Sequence, residues 1–326
     1  MSENKKTRIT GIGSALVDIL INESDQFLTD LGKTKGGMTL VEDQDILQIL
    51  SKTLDTPVVV PGGAACNTIV GVGCLGGKAR FIGKRGKDAY GEAFEQQVIH
   101  CNVEPLISIG NSPTGKVLSV VTPDAQRSMF TFLGASTELA PDSITPDMFK
   151  DTAIAMIEGY LLFNQALMMA ALNAAKKAGA LIALDLASFE VVNATKPVLE
   201  DIIKEYVDIL IANEDEAKAY TGFDDEQKAI ERLSENVSYA ILKVGKKGSY
   251  VSHNGTITRI EPVCGTPPVD TTGAGDLWAA GFLFGLAHGF PIEKSGQIGS
   301  ACGYEVCQVM GAQLPEAAWN RIKALI

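Results

Sequence analysis

From residue 153 onward the chain repeats one unit, a short apolar run followed by an amphipathic stretch with helical spacing. The runs 153–157, 181–184, 209–212 and 240–244 alternate with the stretches 165–177, 198–206 and 226–235. Runs this apolar have no water-facing side, so the sheet they form needs helices over both faces. A helix between successive strands is also what parallel pairing requires, because a tight turn cannot join two parallel strands. The rhythm predicts an α/β fold with a mostly parallel central sheet. Residues 277–288 and 292–310 continue as helices, with Pro291 marking the break between them.

One region departs from the rhythm. Residues 115–122 and 127–133 read as alternating β-type runs, and Pro123-Asp124-Ala125-Gln126 between them is turn chemistry. A hairpin without a crossover helix belongs outside a parallel sheet. We place segments near 14–22, 34–41 and 115–135 in a small β-sheet, a lid over the main one. No repeat, low-complexity tract or linker divides the chain, which we read as one domain over residues 1–326.

A net charge of −11 argues against a nucleic-acid or anionic-membrane partner, but not against a small anion held locally by amides. The six cysteines (Cys66, Cys74, Cys101, Cys264, Cys302, Cys307) contain no CxxC pair, so neither a zinc site nor a redox pair is expected. They read as small apolar residues of a reducing compartment. The N-terminus, Met-Ser-Glu-Asn-Lys-Lys, leads into an apolar run broken by Asp18, unlike a signal peptide. No stretch approaches the ~20 apolar residues of a membrane span. The expectation is a soluble cytoplasmic protein, monomer or homodimer. His100, His253 and His288 lack any partner pattern and are assigned no chemistry.

The segment most informative about chemistry is Asp270-Thr271-Thr272-Gly273-Ala274-Gly275-Asp276, which opens the apolar helix from 277. A small-residue turn at a helix start points free N–H groups, and the positive end of the helix dipole, at whatever lies in front. That is a receptor for phosphate or another anion. An anion receptor has no need of an adjacent carboxylate, whereas phosphoryl transfer to an alcohol needs a proton acceptor. Asp276 is the candidate base. On spacing alone a structural reading stands beside it: Thr272 caps the helix and Asp276 complements its dipole.

Four further elements offer polar groups beside turns. Pro61-Gly62-Gly63-Ala64-Ala65-Cys66-Asn67-Thr68 starts a helix with a glycine pair, which allows close approach, and with Asn67, which can both donate and accept. Asp18 interrupts an apolar strand, so it is either at a strand end facing water or buried and paired. Asn213-Glu214-Asp215-Glu216 follows an apolar run and begins a helix. Lys243-Val244-Gly245-Lys246-Lys247-Gly248 ends another run with two glycines. Two near misses are rejected. Gly110-x-x-x-x-Gly115-Lys116 is followed by Val117 where a P-loop needs Ser or Thr, and Gly11-x-Gly13 has Leu16 at the third position of the dinucleotide fingerprint.

Asp-Thr-x-Gly-Ala-Gly-Asp and the Gly62–Asn67 pattern, in that order along the chain, resemble the two signatures of the PfkB (ribokinase-like) family of sugar and nucleoside kinases. The resemblance spans essentially the whole chain. It implies a ribokinase-like three-layer α/β/α sandwich with a small β-sheet lid. It also implies phosphoryl transfer from ATP, with Asp276 as base and Gly273, Ala274 and Gly275 as the anion hole. Asp18, Gly62, Gly63 and Asn67 would bind the acceptor, joined by Arg127 of the hairpin and Tyr160. Lys243, Gly245, Gly248, Asn213 and Thr272 would lie on the nucleotide side. Asn213 and Glu216 match the Asn-x-x-Glu element that organises Mg²⁺ largely through water. Asp270, Thr272 and Gly311 match positions that hold a monovalent cation, K⁺, in some relatives. The segments Gly13–Ile19 and Gly36-Gly37-Met38 look most like adenosine kinases and their bacterial relatives, so adenosine to AMP is the expected reaction. A free sugar (ribose, fructose or related) is the alternative, and an inactive nucleoside sensor is a further one. Asp185-Leu186-Ala187-Ser188 departs from the Asp-x-Asn-x-Arg form of several sugar kinases.

Overall fold

The computed structural model describes residues 6–32, 35–124 and 126–326. Thr34 and Ala125 of the expected lid, and residues 1–5 of the expected leaderless N-terminus, lie outside them. In chain order the strands are β1 (Arg8–Ile12), β2 (Leu16–Asn22), β3 (Met38–Leu40), β4 (Val58–Gly62), β5 (Ala79–Arg85), β6 (Val103–Ile109) and β7 (Gly115–Val121). They continue as β8 (Arg127–Phe132), β9 (Thr152–Glu158), β10 (Leu181–Asp185), β11 (Ile209–Asn213), β12 (Tyr239–Lys243), β13 (Ser249–His253) and β14 (Thr256–Ile260).

Among the described residues these form two sheets. The larger has nine strands in the order β14-β13-β12-β11-β10-β9-β1-β5-β6, parallel from β12 to β6, with β13 and β14 added as an antiparallel edge. Its middle strands carry apolar side chains to both faces. One set packs in a cluster with Ile9, Met156, Ile211 and Ile241, the other in a cluster with Ile12, Ile157, Leu184 and Leu210. Helices cover both faces, giving the ribokinase-like three-layer arrangement. The smaller sheet runs β3-β8-β7-β2-β4.

Several boundaries differ from the sequence reading. The opening run is two strands, because Gly13, Ser14 and Ala15 break it: β1 enters the main sheet between β9 and β5, and β2 enters the small one. Strand β4 was not expected in the small sheet. It contains Pro61, which cannot donate to a ladder, and it occupies an edge, where a missing N–H costs least. The helix expected over 198–206 runs Phe189–Tyr206, capped by Ser188, whose hydroxyl accepts from Val191 N–H, and it carries Pro197 inside it. The helix expected to start within Pro61–Thr68 runs Ala64–Cys74, and the one expected to reach 310 ends at Val306.

The helix Ala274–His288 is apolar all round and is therefore a core element. Glycines let it pack tightly: a Cβ on Gly281 would lie 2.7 Å from the backbone of Gly299. Among the described residues no helix is long and apolar enough to cross a membrane.

Candidate active site

Four neighbouring strands of the main sheet end in polar residues: β9 in Glu158, β10 in Asp185, β11 in Asn213 and β12 in Lys243. Glu158 is paired in register with Asp185, and Asn213 with Lys243, so the four line one rim. The carboxyl ends of parallel strands are where open α/β sheets bind ligands. Lys243 donates from Nζ to Asp185 Oδ2 at 3.0 Å. Burial works against its charge, but the carboxylates of Asp185 and Glu216 outweigh it and hold the ammonium above its ordinary pKa. Asn213 and Glu216 close a capping box on each other. Asn213 Oδ1 accepts from Glu216 N–H, while Glu216 accepts from both the backbone N–H and the side-chain amide of Asn213. Burial and the nearby Asp185 push the Glu216 carboxyl up to about 7, against the pull of Lys243.

The turn before the helix Ala274–His288 is tied from behind. Asp270 accepts from the N–H and hydroxyl of Thr272 (3.0 and 2.7 Å) and from the N–H of Gly311 at 2.9 Å. Arg127 lies 3.4 Å from the same carboxylate. Thr272 therefore faces Asp270 and does not cap the helix, as the structural reading had it. The N-cap is Gly273, at φ 72°, which favours glycine, and no side chain caps the helix. Ala274 N–H donates to Thr271 at 3.2 Å. The first-turn amides beyond it, those of Gly275 and Asp276, are left at the positive end of the dipole. A Cβ on Gly275 would sit 3.0 Å from Lys243 Nζ, so the buried ammonium lies directly against this turn.

Asp276, in the first turn, accepts at Oδ2 from Asn67 Nδ2 at 2.9 Å. Asn67 comes from the helix Ala64–Cys74, which packs against the helix Ala274–His288, and the Thr68 hydroxyl lies 3.2 Å from the Asp276 carbonyl. Burial raises the Asp276 carboxyl to about 6, Asn67 opposing and Asp185 adding to the shift. Asp18 on β2 is buried against Gly62, where a Cβ would come within 2.4 Å of its carboxyl. Burial and the charge of Asp276 push Asp18 up to about 7, with Arg127 acting the other way. The small sheet and the helices Ala64–Cys74 and Ala274–His288 thus bring Asp18, Gly62, Asn67, Arg127 and Asp276 together from distant parts of the chain.

On the other side of the turn lies a cleft of about 840 Å³ lined by Asn213, Lys243, Gly245, Gly248, Ala274 and Gly275, with Trp278 and Tyr304. That volume is in the range of small-molecule and cofactor sites. Tyr160, in the turn Gly159–Phe163 after β9, is partly exposed and is not among the residues lining this cleft. Burial raises its hydroxyl to about 12.

The profile of the pfkB family of carbohydrate kinases matches residues 31–319. The chain belongs to that family. It is 26% identical to the adenosine kinase of Saccharomyces cerevisiae, over 93% of this chain and 96% of the relative. It is 27% identical to the ribokinase of Arabidopsis thaliana, over 71% of this chain and 63% of the relative's length. The crystal structure of adenosine kinase from Sinorhizobium meliloti superposes with a TM-score of 0.88 at 31% identity, covering 98% of this chain and 99% of that one. This pfkB kinase is a phosphotransferase acting on an alcohol group, and the family implies ATP as donor.

Two nearly inaccessible acids of the candidate site had no role in the sequence reading: Glu158, which it did not name, and Asp185, which it named only in comparison with sugar kinases. The available signal was positional. Each is the lone acid that ends an apolar run of a parallel sheet, on the rim where ligands bind.

Proposed function

We propose that this pfkB kinase transfers the terminal phosphoryl group of ATP to the primary ribose hydroxyl of a nucleoside, adenosine becoming AMP. The observation that carries the reading is the hydrogen-bonded pair Asn67–Asp276 at the head of a helix whose free amides border the 840 Å³ cleft. A donor nucleotide in the cleft would present its phosphates to Gly273, Ala274 and Gly275, with Lys243, Gly245 and Gly248 along its length. The acceptor would lie against Asp18, Gly62, Gly63, Asn67 and Arg127, with Tyr160 reserved for the base.

In this reading Asp276 takes the proton of the attacking hydroxyl. With its carboxyl at about 6 it is a stronger base than an ordinary Asp and is still largely ionised at neutral pH. Asn67 fixes the orientation of that carboxylate. The amides of the turn and the Lys243 ammonium stand where negative charge develops; one such donor is worth about 3–4 kcal/mol in oxyanion holes. Three acids, Asp185, Glu216 and Asp276, exert their fields on the single ammonium of Lys243. That surplus of hard oxygen fits Mg²⁺, which Asn213 and Glu216 would hold largely through water. Bound there, Mg²⁺ supplies charge neutralisation of the phosphates. The Asp270 carboxylate is already engaged by Thr272 and Gly311, so K⁺ at that place would rest on backbone carbonyls. Closure of the small sheet as a lid would exclude water as a competing acceptor.

A free ribose-type sugar is the second reading. In the turn Gly159–Phe163, Leu161 and Leu162 are buried and Phe163 is 64% exposed, which leaves Tyr160 to offer one ring face where a base sandwich uses two. Measuring ADP release from Mg-ATP over a panel of nucleosides and sugars separates the two. Adenosine-dependent release above all sugars is the expected result, release with sugars alone selects the second reading, and no release with any acceptor sinks both.

A further inference from the structure

Glu158 is 1% exposed and has no part in the chemistry above. Its Oε1 accepts from the backbone N–H and the hydroxyl of Ser14, both at 2.8 Å. Its Oε2 accepts from Ala65 N–H at 3.2 Å. Ser14 lies in the break between β1 and β2, four residues before Asp18, and Ala65 lies in the first turn of the helix that carries Asn67. One carboxylate on the main sheet therefore grips the entrances of both elements that bring the acceptor residues. The surroundings leave no room for slack. A Cβ on Gly13 would stand 2.4 Å from Glu158 Oε2, and one on Gly63 would stand 2.3 Å from Ser14 O.

We propose that Glu158 is a positioning residue that sets Asp18 and Asn67 at their working separation, an inference that rests on the kinase reading above. Three donors from two segments converge on it and oppose the upward push of burial on its carboxyl, and a carboxylate is the side chain that accepts at both ends. An amide of the same size offers one oxygen and turns a donor toward the Ser14 or the Ala65 N–H. A buried charge is a poor device for stability alone, since well-packed apolar residues often serve as well. What the carboxylate provides here is geometry. It fixes the small sheet to the rim at the point where Asp18 must meet the acceptor.

The test is the steady-state kinetics of Glu158→Gln with Mg-ATP and the best acceptor from the panel. We expect the acceptor KM to rise about ten- to hundredfold, the scale of an ångström-sized misplacement, with the KM for ATP unchanged. In an Asp18→Ala background the same substitution should add little, because Glu158 acts through the geometry of that acid. Amide exchange at Ser14 and Ala65 should quicken in Glu158→Gln. An equal rise in both KM values, full additivity with Asp18→Ala, or unchanged exchange at those amides would overturn the proposal. Should Glu158→Gln fail to fold, Ser14→Ala removes one donor only and should move the acceptor KM in the same direction by less; no movement counts against the proposal. Wild-type protein that phosphorylates nothing on the panel defeats the kinase reading instead, and the exchange measurement still decides whether the latch exists.

Discussion

The nine-stranded and five-stranded sheets each contribute to one site, but they hold their parts differently. The main sheet is covered on both faces, and Ile209, Leu210, Ile211 and Ala212 of β11 are all inaccessible. The polar groups it gives to the site stand where four of its strands end, at Glu158, Asp185, Asn213 and Lys243. The small sheet ends in a three-residue edge strand, β3, exposed at every position, and on the other edge Val58 and Val59 of β4 are also exposed. Its acid, Asp18, lies within the length of a strand and is held by packing on Gly62 and by the field of Arg127. These edges, unlike the buried middle strands β2 and β7, have few buried contacts and so a lower free energy of local opening. The comparison teaches a division of labour: the rim of the covered sheet carries its site groups at strand ends, and the small sheet carries the acceptor-side acid within a buried middle strand while its edges stay open.

The largest expected effect falls on the fixed side. Asp276→Asn should fold normally and lose on the order of 10²–10⁴ in kcat, the usual share of a general base. Near-full turnover in that variant would move the proton acceptor elsewhere and dissolve the contrast. The sheets themselves come next. Ile211→Ala should cost about 2–5 kcal/mol in urea unfolding, as deletion of a buried side chain does. Leu40→Ala on β3 should stay within about 0.5 kcal/mol. Equal costs would mean that the small sheet is as firmly built as the large one.

The smallest effect concerns the acid of the small sheet. Burial, Asp276 and Asp270 lift the Asp18 carboxyl from 3.8 to about 7, against Arg127. The folded chain then binds that proton more tightly than the unfolded chain, so stability is lost as pH rises from 3.8 toward 7. A neutral side chain escapes this loss. Asp18→Asn should therefore be more stable than wild type by about 1–3 kcal/mol at slightly alkaline pH, the gain shrinking as the pH falls. A variant less stable than wild type throughout would show Asp18 to be a structural member of the small sheet. The same variant should weaken acceptor binding more than ATP binding.

Legibility followed the range of each signal. The alternation of runs beyond residue 153 is local, and the strands Thr152–Glu158, Leu181–Asp185, Ile209–Asn213 and Tyr239–Lys243 lie within a residue or two of the expected bounds. The glycine-lined helix start at 273–276 was legible for the same reason, since helix start, glycine and acid are neighbours in the chain. The edge strand β4 was not, because Pro61 argues against a strand until one knows that its N–H would face no partner. Lys243 was placed on the nucleotide side by the family resemblance alone, because its partners Asp185 and Gly275 stand 58 residues before it and 32 after it.

What the chain determined by its order of residues is the layered α/β plan, the helix-start turn and the identity of the acid in it, all of which follow from periodicity and adjacency. What only the folded arrangement decided is which acids share a site. Glu158, Asp185, Glu216, Asp276 and Asp18 come from five separate elements, and their fields and hydrogen bonds act over a few ångströms of space, whatever the distance along the chain.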